Sequence, residues 1–300
     1  MKYFMKKFVG IGLGAMLISC AALCGCGETP APSPTEKKPQ YAVPAEIPSV
    51  AANDESFSVK NIAKREDSPL AGKTFYWLGS SVTYGSASQG ESMADYLAAY
   101  TGCTSVKEAV SGTTIYDDGG NGDSGAKSYT RRMVKGTAFD KTAQIDALIC
   151  QISTNDARND RLTKWGKMRD DEGVYKDYFD KSTTLGGVEY IIAYAIETWQ
   201  CPVYFYSGAY FGDSGTRAST NPTGTNYGKL VDEVKKIATK WQNMGYEVGV
   251  IDLFNDEAFN ATASDEYYKW ATSDAIHPKR AGYAQWWTPY FEAYLLNVFD

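Results

Sequence analysis

Histidine is all but missing from this chain: His277 is the only one in 300 residues. A histidine-based metal site is therefore excluded, no Cys/His cluster has metal-ligand spacing, and no residue pattern asks for a cofactor. Any chemistry that needs an imidazole must use this one ring. Cysteine is scarce as well. Cys20, Cys24 and Cys26 crowd the amino terminus, which leaves Cys103, Cys150 and Cys201 for the rest of the chain. An odd number cannot close into a fully paired disulfide scaffold, and Cys150 lies inside an apolar strand pattern, so buried thiols are expected. Basic residues are in the minority. Without residues 1–26, which hold three lysines and no acids, 27 basic face 36 acidic residues, a net charge of −9. Such a balance argues against nucleic acid or an anionic lipid surface as partner.

Long apolar runs are missing too, with one exception. Phe8 to Leu23 follows Lys2, Lys6 and Lys7 and reads as a secretory signal, its glycines and terminal cysteines arguing against a spanning anchor. Leu23-Cys24-Gly25-Cys26 resembles the lipobox of bacterial lipoproteins, and Leu17-Ile18-Ser19-Cys20 resembles one as well. Cys26 is the favoured lipidation site because a polar, proline-rich tail starts directly after it; Cys20 stays open. That tail, residues 27–56, has prolines at 30, 32, 34, 39, 44 and 48 and little apolar surface to bury, so a disordered tether is expected. Residues 1–26 as lipoprotein signal and a lipid anchor on the outer face of a bacterial membrane complete this expectation, with release as a secreted protein the other possibility.

The remaining residues, at 43% apolar composition for the whole chain, suffice for a sizeable core. Strand patterns fall at Thr74–Gly79, Val106–Val110, Ala147–Ile152, Val203–Ser207 and Val248–Phe254. Helix patterns fall at Glu91–Tyr100, Gly187–Trp199, Tyr227–Asn243 and Ala281–Val298, the last with Pro289 expected to kink or break it. Short apolar strands alternating with helices predict an α/β domain, a flavodoxin-like doubly wound sheet of about five parallel strands in the order 2-1-3-4-5. Three longer segments, Tyr116–Thr137, Arg158–Leu185 and Tyr210–Thr225, leave the carboxyl ends of strands and are expected to wall a substrate site.

Two stretches carry chemistry. Ser80 and Ser81 sit between Gly79 and Gly85, where a strand pattern gives way to a helix, so a hydroxyl stands at the ligand-binding edge of the sheet. Far along the chain, Asp274-Ala275-Ile276-His277-Pro278 places a carboxylate three residues before the sole imidazole. That spacing lets Asp274 hold one ring nitrogen while the other faces outward to deprotonate a serine.

Together these stretches resemble the SGNH (GDSL-type) hydrolases. Gly79-Ser80-Ser81-Val82-Thr83-Tyr84-Gly85 resembles their nucleophile block, Ala109-Val110-Ser111-Gly112-Thr113 their glycine block, Ser153-Thr154-Asn155-Asp156 their Gly-x-Asn-Asp block, and Asp274 to Pro278 their closing Asp-x-x-His-Pro block. The resemblance implies the SGNH fold over residues 57–300, Ser81 as nucleophile, and Asp274 with His277 completing a triad. It also implies an oxyanion hole made by the Ser81 N–H, Gly112 and Asn155. Ser80 and Ser153 replace the family's aspartate and glycine; Ser80 is then a stand-in for a group that braces the loop. The expected reaction is hydrolysis of short-chain, most simply acetyl, esters on an extracellular carbohydrate. Tyr84, Tyr116, Trp165 and Tyr210 are candidate sugar-stacking rings. A lipase or thioesterase, and a non-catalytic glycan-binding lipoprotein, are the competing expectations.

Overall fold

The computed structural model describes residues 43–119 and 127–299, and these form one compact unit. Cys26, Cys20 and the proposed signal lie outside the described residues. Five parallel strands build the sheet: β1 (Thr74–Gly79), β2 (Thr104–Ala109), β3 (Ala147–Gln151), β4 (Val203–Tyr206) and β5 (Val248–Ile251), in the order β2-β1-β3-β4-β5. Order and strand positions follow the sequence pattern to within a few residues.

The strands are apolar on both sides because both faces are covered. Along β1, Tyr76 and Leu78 enter one core cluster while Phe75 and Trp77 enter the other. The first cluster lies under helices Thr184–Trp199 and Gly224–Asn243, whose stripe of Leu230, Val234, Ile237, Ala238 and Trp241 is buried throughout. The second lies under Met93–Thr101 and the carboxyl-terminal helix. Cys103, Cys150 and Cys201 are unpaired and buried, as expected.

Three elements differ from expectation. The carboxyl-terminal helix is not broken by Pro289: a π-helical turn over Tyr283–Trp287 precedes Thr288–Phe299, and the proline falls in the first turn after it. A widened turn there relieves the missing N–H and the ring's clash with the preceding carbonyl. Short helices at Tyr129–Lys135, Glu257–Ala261 and Asp265–Ala271 interrupt stretches with no clear periodicity. The end of the composition-defined tether also packs on the domain. Ala52 is buried, Val43 meets the second core cluster, and the Trp270 indole N–H donates to the Val50 carbonyl at 3.2 Å. A few polar contacts join that modest apolar packing, and average composition reveals neither.

Candidate active site

β1 ends at Gly79, and the next residues turn sharply into a one-turn helix, Ser81–Tyr84. Only glycine fits at 79, because a Cβ there would lie 1.7 Å from the Thr83 hydroxyl oxygen. The turn rests on one buried oxygen. Gln151 Oε1, at the end of β3, accepts from Ser80 N–H at 2.9 Å, Ser80 Oγ at 3.3 Å, Thr83 N–H at 3.3 Å and Thr83 Oγ1 at 2.9 Å. Ser80 therefore does brace the loop, through glutamine. As the first helical residue, Ser81 keeps its own N–H outside the helical ladder.

Ser81 Oγ lies 2.7 Å from His277 Nε2, across 196 residues of sequence. On the other side of the ring, Nδ1 is 2.9 Å from Asp274 Oδ2 and 3.0 Å from Oδ1. The Asp274 carboxylate also accepts the Ile276 and His277 backbone N–H groups, each at 2.8 Å. Burial pushes its pKa up, but the His277 ring and those two N–H groups outweigh burial and hold it below the ordinary carboxylate value. An ionised Asp274 fixes the tautomer with Nε2 free to accept the serine proton.

Gly112 and Asn155 are brought to the same edge. Gly112 takes φ +80°, a left-handed conformation that glycine adopts without strain, and its N–H meets no acceptor among the described residues. Asn155 Nδ2 spends one hydrogen on the Thr113 carbonyl at 3.0 Å, which leaves the second for an oxyanion. Ser153 earns its place: its hydroxyl bonds the same Thr113 carbonyl at 3.2 Å and accepts the Asn155 N–H at 3.1 Å. Fully buried Asp156 ties the same two loops, accepting from Ile115 N–H at 2.9 Å and Thr184 Oγ1 at 2.8 Å; burial raises its pKa to about 6 against those bonds.

Arg132 reinforces the site from below. It reaches the Gly79 carbonyl at 2.7 Å, the Glu108 carbonyl at 2.6 Å and the Thr113 hydroxyl at 3.2 Å, linking the ends of β1 and β2 to the glycine loop. Sequence reasoning missed Gln151 and Arg132. The available signals were a polar residue closing an all-apolar strand and an arginine on the buried side of Tyr129–Lys135.

The four candidate sugar-stacking rings divide. Tyr84, one turn beyond Ser81, and Tyr210 are 49% and 45% exposed. Tyr116 is buried. Trp165 packs against the core, and its indole N–H donates to the Asp156 carbonyl at 2.8 Å, so it props the loop that carries Asn155. Among the described residues, no group of His, Cys, Asp and Glu side chains could hold a metal ion.

Residues 77–285 match the model of the GDSL-like lipase/acylhydrolase family. No curated protein matches the chain significantly. Solved structures share its fold. One, from Lactobacillus plantarum, is 21% identical with a TM-score of 0.52, over 75% of this chain and 97% of that one. Another is a family two carbohydrate esterase from Clostridium thermocellum in complex with cellohexaose, 14% identical with a TM-score of 0.50, over 75% of this chain and 64% of that one.

Proposed function

The chain belongs to the GDSL-like lipase/acylhydrolase family and is an ester-hydrolysing serine hydrolase; from that premise we propose that Ser81, His277 and Asp274 are its catalytic triad and that it removes acetyl groups from an extracellular carbohydrate. The observation that carries the triad is the 2.7 Å approach of Ser81 Oγ to His277 Nε2, with Asp274 on the far side of the same ring.

His277 Nε2 takes the Ser81 proton as Oγ attacks the ester carbonyl carbon. The oxyanion is received by the N–H groups of Ser81 and Gly112 and the second amide hydrogen of Asn155. Collapse of the tetrahedral intermediate breaks the bond to the alcohol, which leaves with the proton held by the imidazolium. Water then attacks the acyl-serine with the same ring as base; the bond from the acyl carbon to Ser81 Oγ breaks, Oγ takes the proton back from the imidazolium, and the acid departs. Asp274 stays ionised throughout, orienting the ring and stabilising its positive charge.

The substrate class rests on lesser support. Tyr84 and Tyr210 offer exposed rings at the sheet edge that bears Ser81, and the fold is shared with a carbohydrate esterase in complex with cellohexaose. A lipid on Cys26 would hold the enzyme at the outer face of the membrane, where such glycans lie. Two measurements test these proposals. Rates on acetylated oligosaccharides and on p-nitrophenyl esters of increasing acyl length should favour acetyl; preference for long acyl chains would assign a lipase or thioesterase instead. Mass spectrometry of the mature protein should find a lipidated Cys26, and an unmodified cysteine there would remove the anchor.

A further inference from the structure

Ser81 and His277 sit on chain segments 196 residues apart, so their separation depends on contacts that join the two segments. We propose that Asn53, from the stretch that composition assigns to the tether, is a positioning residue that sets this separation; the inference rests on the triad reading above. Its one side chain touches both loops. Asn53 Nδ2 donates to the Ala87 carbonyl at 2.8 Å, in the turn that follows the Ser81 helix. Asn53 Oδ1 accepts the Arg280 N–H at 3.0 Å, three residues beyond His277. Only one orientation of the amide serves both partners.

The surrounding contacts hold Asn53 in place. The Ala281 N–H donates to the carbonyl of Ala52, the residue before Asn53, at 2.9 Å. Arg280, 5% exposed, pairs with Glu55 at 2.7 Å and with Glu91 at 2.9 Å. Glu91 in turn accepts the Ser58 hydroxyl at 2.7 Å, so this segment, the serine loop and the histidine loop meet at the Arg280–Glu91 ion pair. Tyr283 OH, bonded to the Val82 carbonyl at 2.7 Å, ties the same two segments independently. Loss of Asn53 should therefore loosen the pair without unfolding the domain. With this role, the stretch around Asn53 belongs to the catalytic unit.

The test uses the full chain with Asn53→Ala and Asn53→Asp. Asn53→Asp keeps an acceptor for the Arg280 N–H but sets a carboxylate oxygen, which the Ala87 carbonyl repels, where the donor was, and it adds a negative charge near Glu55 and Glu91. Both variants should lose about tenfold in kcat on p-nitrophenyl acetate with KM little changed, because a misplaced base slows proton transfer more than binding. Fluorophosphonate labelling of Ser81 should slow by the same factor, with every molecule still titratable. Unchanged kcat, or a loss matched by a smaller titratable fraction, overturns the proposal. The sole histidine supplies a readout independent of turnover: its ring resonances should shift or broaden in both variants, and identical ring resonances would also overturn it. A wild-type protein inert to esters and probe would sink the triad reading instead, while the ring signal still decides the role of Asn53.

Discussion

Replacing Gln151 by leucine deletes one oxygen that four donors share. The site is closed off from the surface, with Gln151 1% exposed and Ser80 and Thr83 fully buried. Leucine occupies similar space but accepts nothing. The two hydroxyls can adapt, since each can rotate and Thr83 Oγ1 already lies 2.6 Å from Tyr206 OH. The Ser80 and Thr83 amides cannot rotate. Each buried N–H stranded in this way costs ~1–3 kcal/mol, so the pair should cost roughly 2–6 kcal/mol of stability. That is a large share of the 5–15 kcal/mol typical of whole domains, about which the folded state has little to spare. If the turn shifts to find new acceptors, Ser81 moves with it, and a displacement on the order of 1 Å from the imidazole costs about 100-fold in kcat. Urea unfolding of wild type and Gln151→Leu measures the first effect, and p-nitrophenyl acetate kinetics measures the second. A variant within about 1 kcal/mol of wild type and equally active would refute the bracing role, because one stranded amide alone should exceed that.

Other outcomes follow from the same geometry. Asn155→Ala should lower kcat by roughly 100- to 1000-fold with a smaller change in KM, since its free amide hydrogen meets charge only in the transition state; a rise in KM at constant kcat would make it a substrate contact. Asp156, with its folded pKa raised to about 6, keeps its proton where the unfolded chain has lost it, so its contribution is best below the unfolded value and declines as pH rises toward about 6. Relative to wild type, Asp156→Asn should therefore gain about 3 kcal/mol in urea stability between about pH 4 and about pH 7. A constant difference between the two proteins across that range would contradict the raised pKa. The buried thiols Cys103, Cys150 and Cys201, all with pKa values raised by burial, should resist a thiol reagent until the domain unfolds; rapid native-state labelling of any of them would count against that packing.

Much of this architecture was legible because its causes are local. The run Thr74-Phe75-Tyr76-Trp77-Leu78-Gly79 is a strand by residue type and stops at glycine, and the structure gives β1 the same limits. Asp274 and His277 are three residues apart, so their pairing is a property of one loop. What was not legible depends on partners distant in sequence. Gln151 meets Ser80 across 71 residues, and Arg280 meets Asn53 across 227. Propensity carries no information about either. The tether boundary failed for a related reason: low apolar content predicts disorder only where hydrophobic burial is the sole source of order, whereas Asn53, Glu55 and the Ala52 carbonyl attach by polar contacts. Aromatic side chains were ambiguous for a third reason. Trp165 and Tyr84 are both rings beyond the carboxyl ends of strands, yet one is held by an indole hydrogen bond and the other is half exposed, and only packing separates them.

The proposed catalysis turns on one proton moving from Ser81 to His277. The most direct measurement compares wild type, Ser81→Ala and His277→Ala for p-nitrophenyl acetate turnover and for covalent labelling by a fluorophosphonate. With no second histidine to substitute, both variants should be inert to ester, and the probe should mark Ser81 in wild type alone. Turnover by either variant at the wild-type rate, or a label found on another residue, would contradict it.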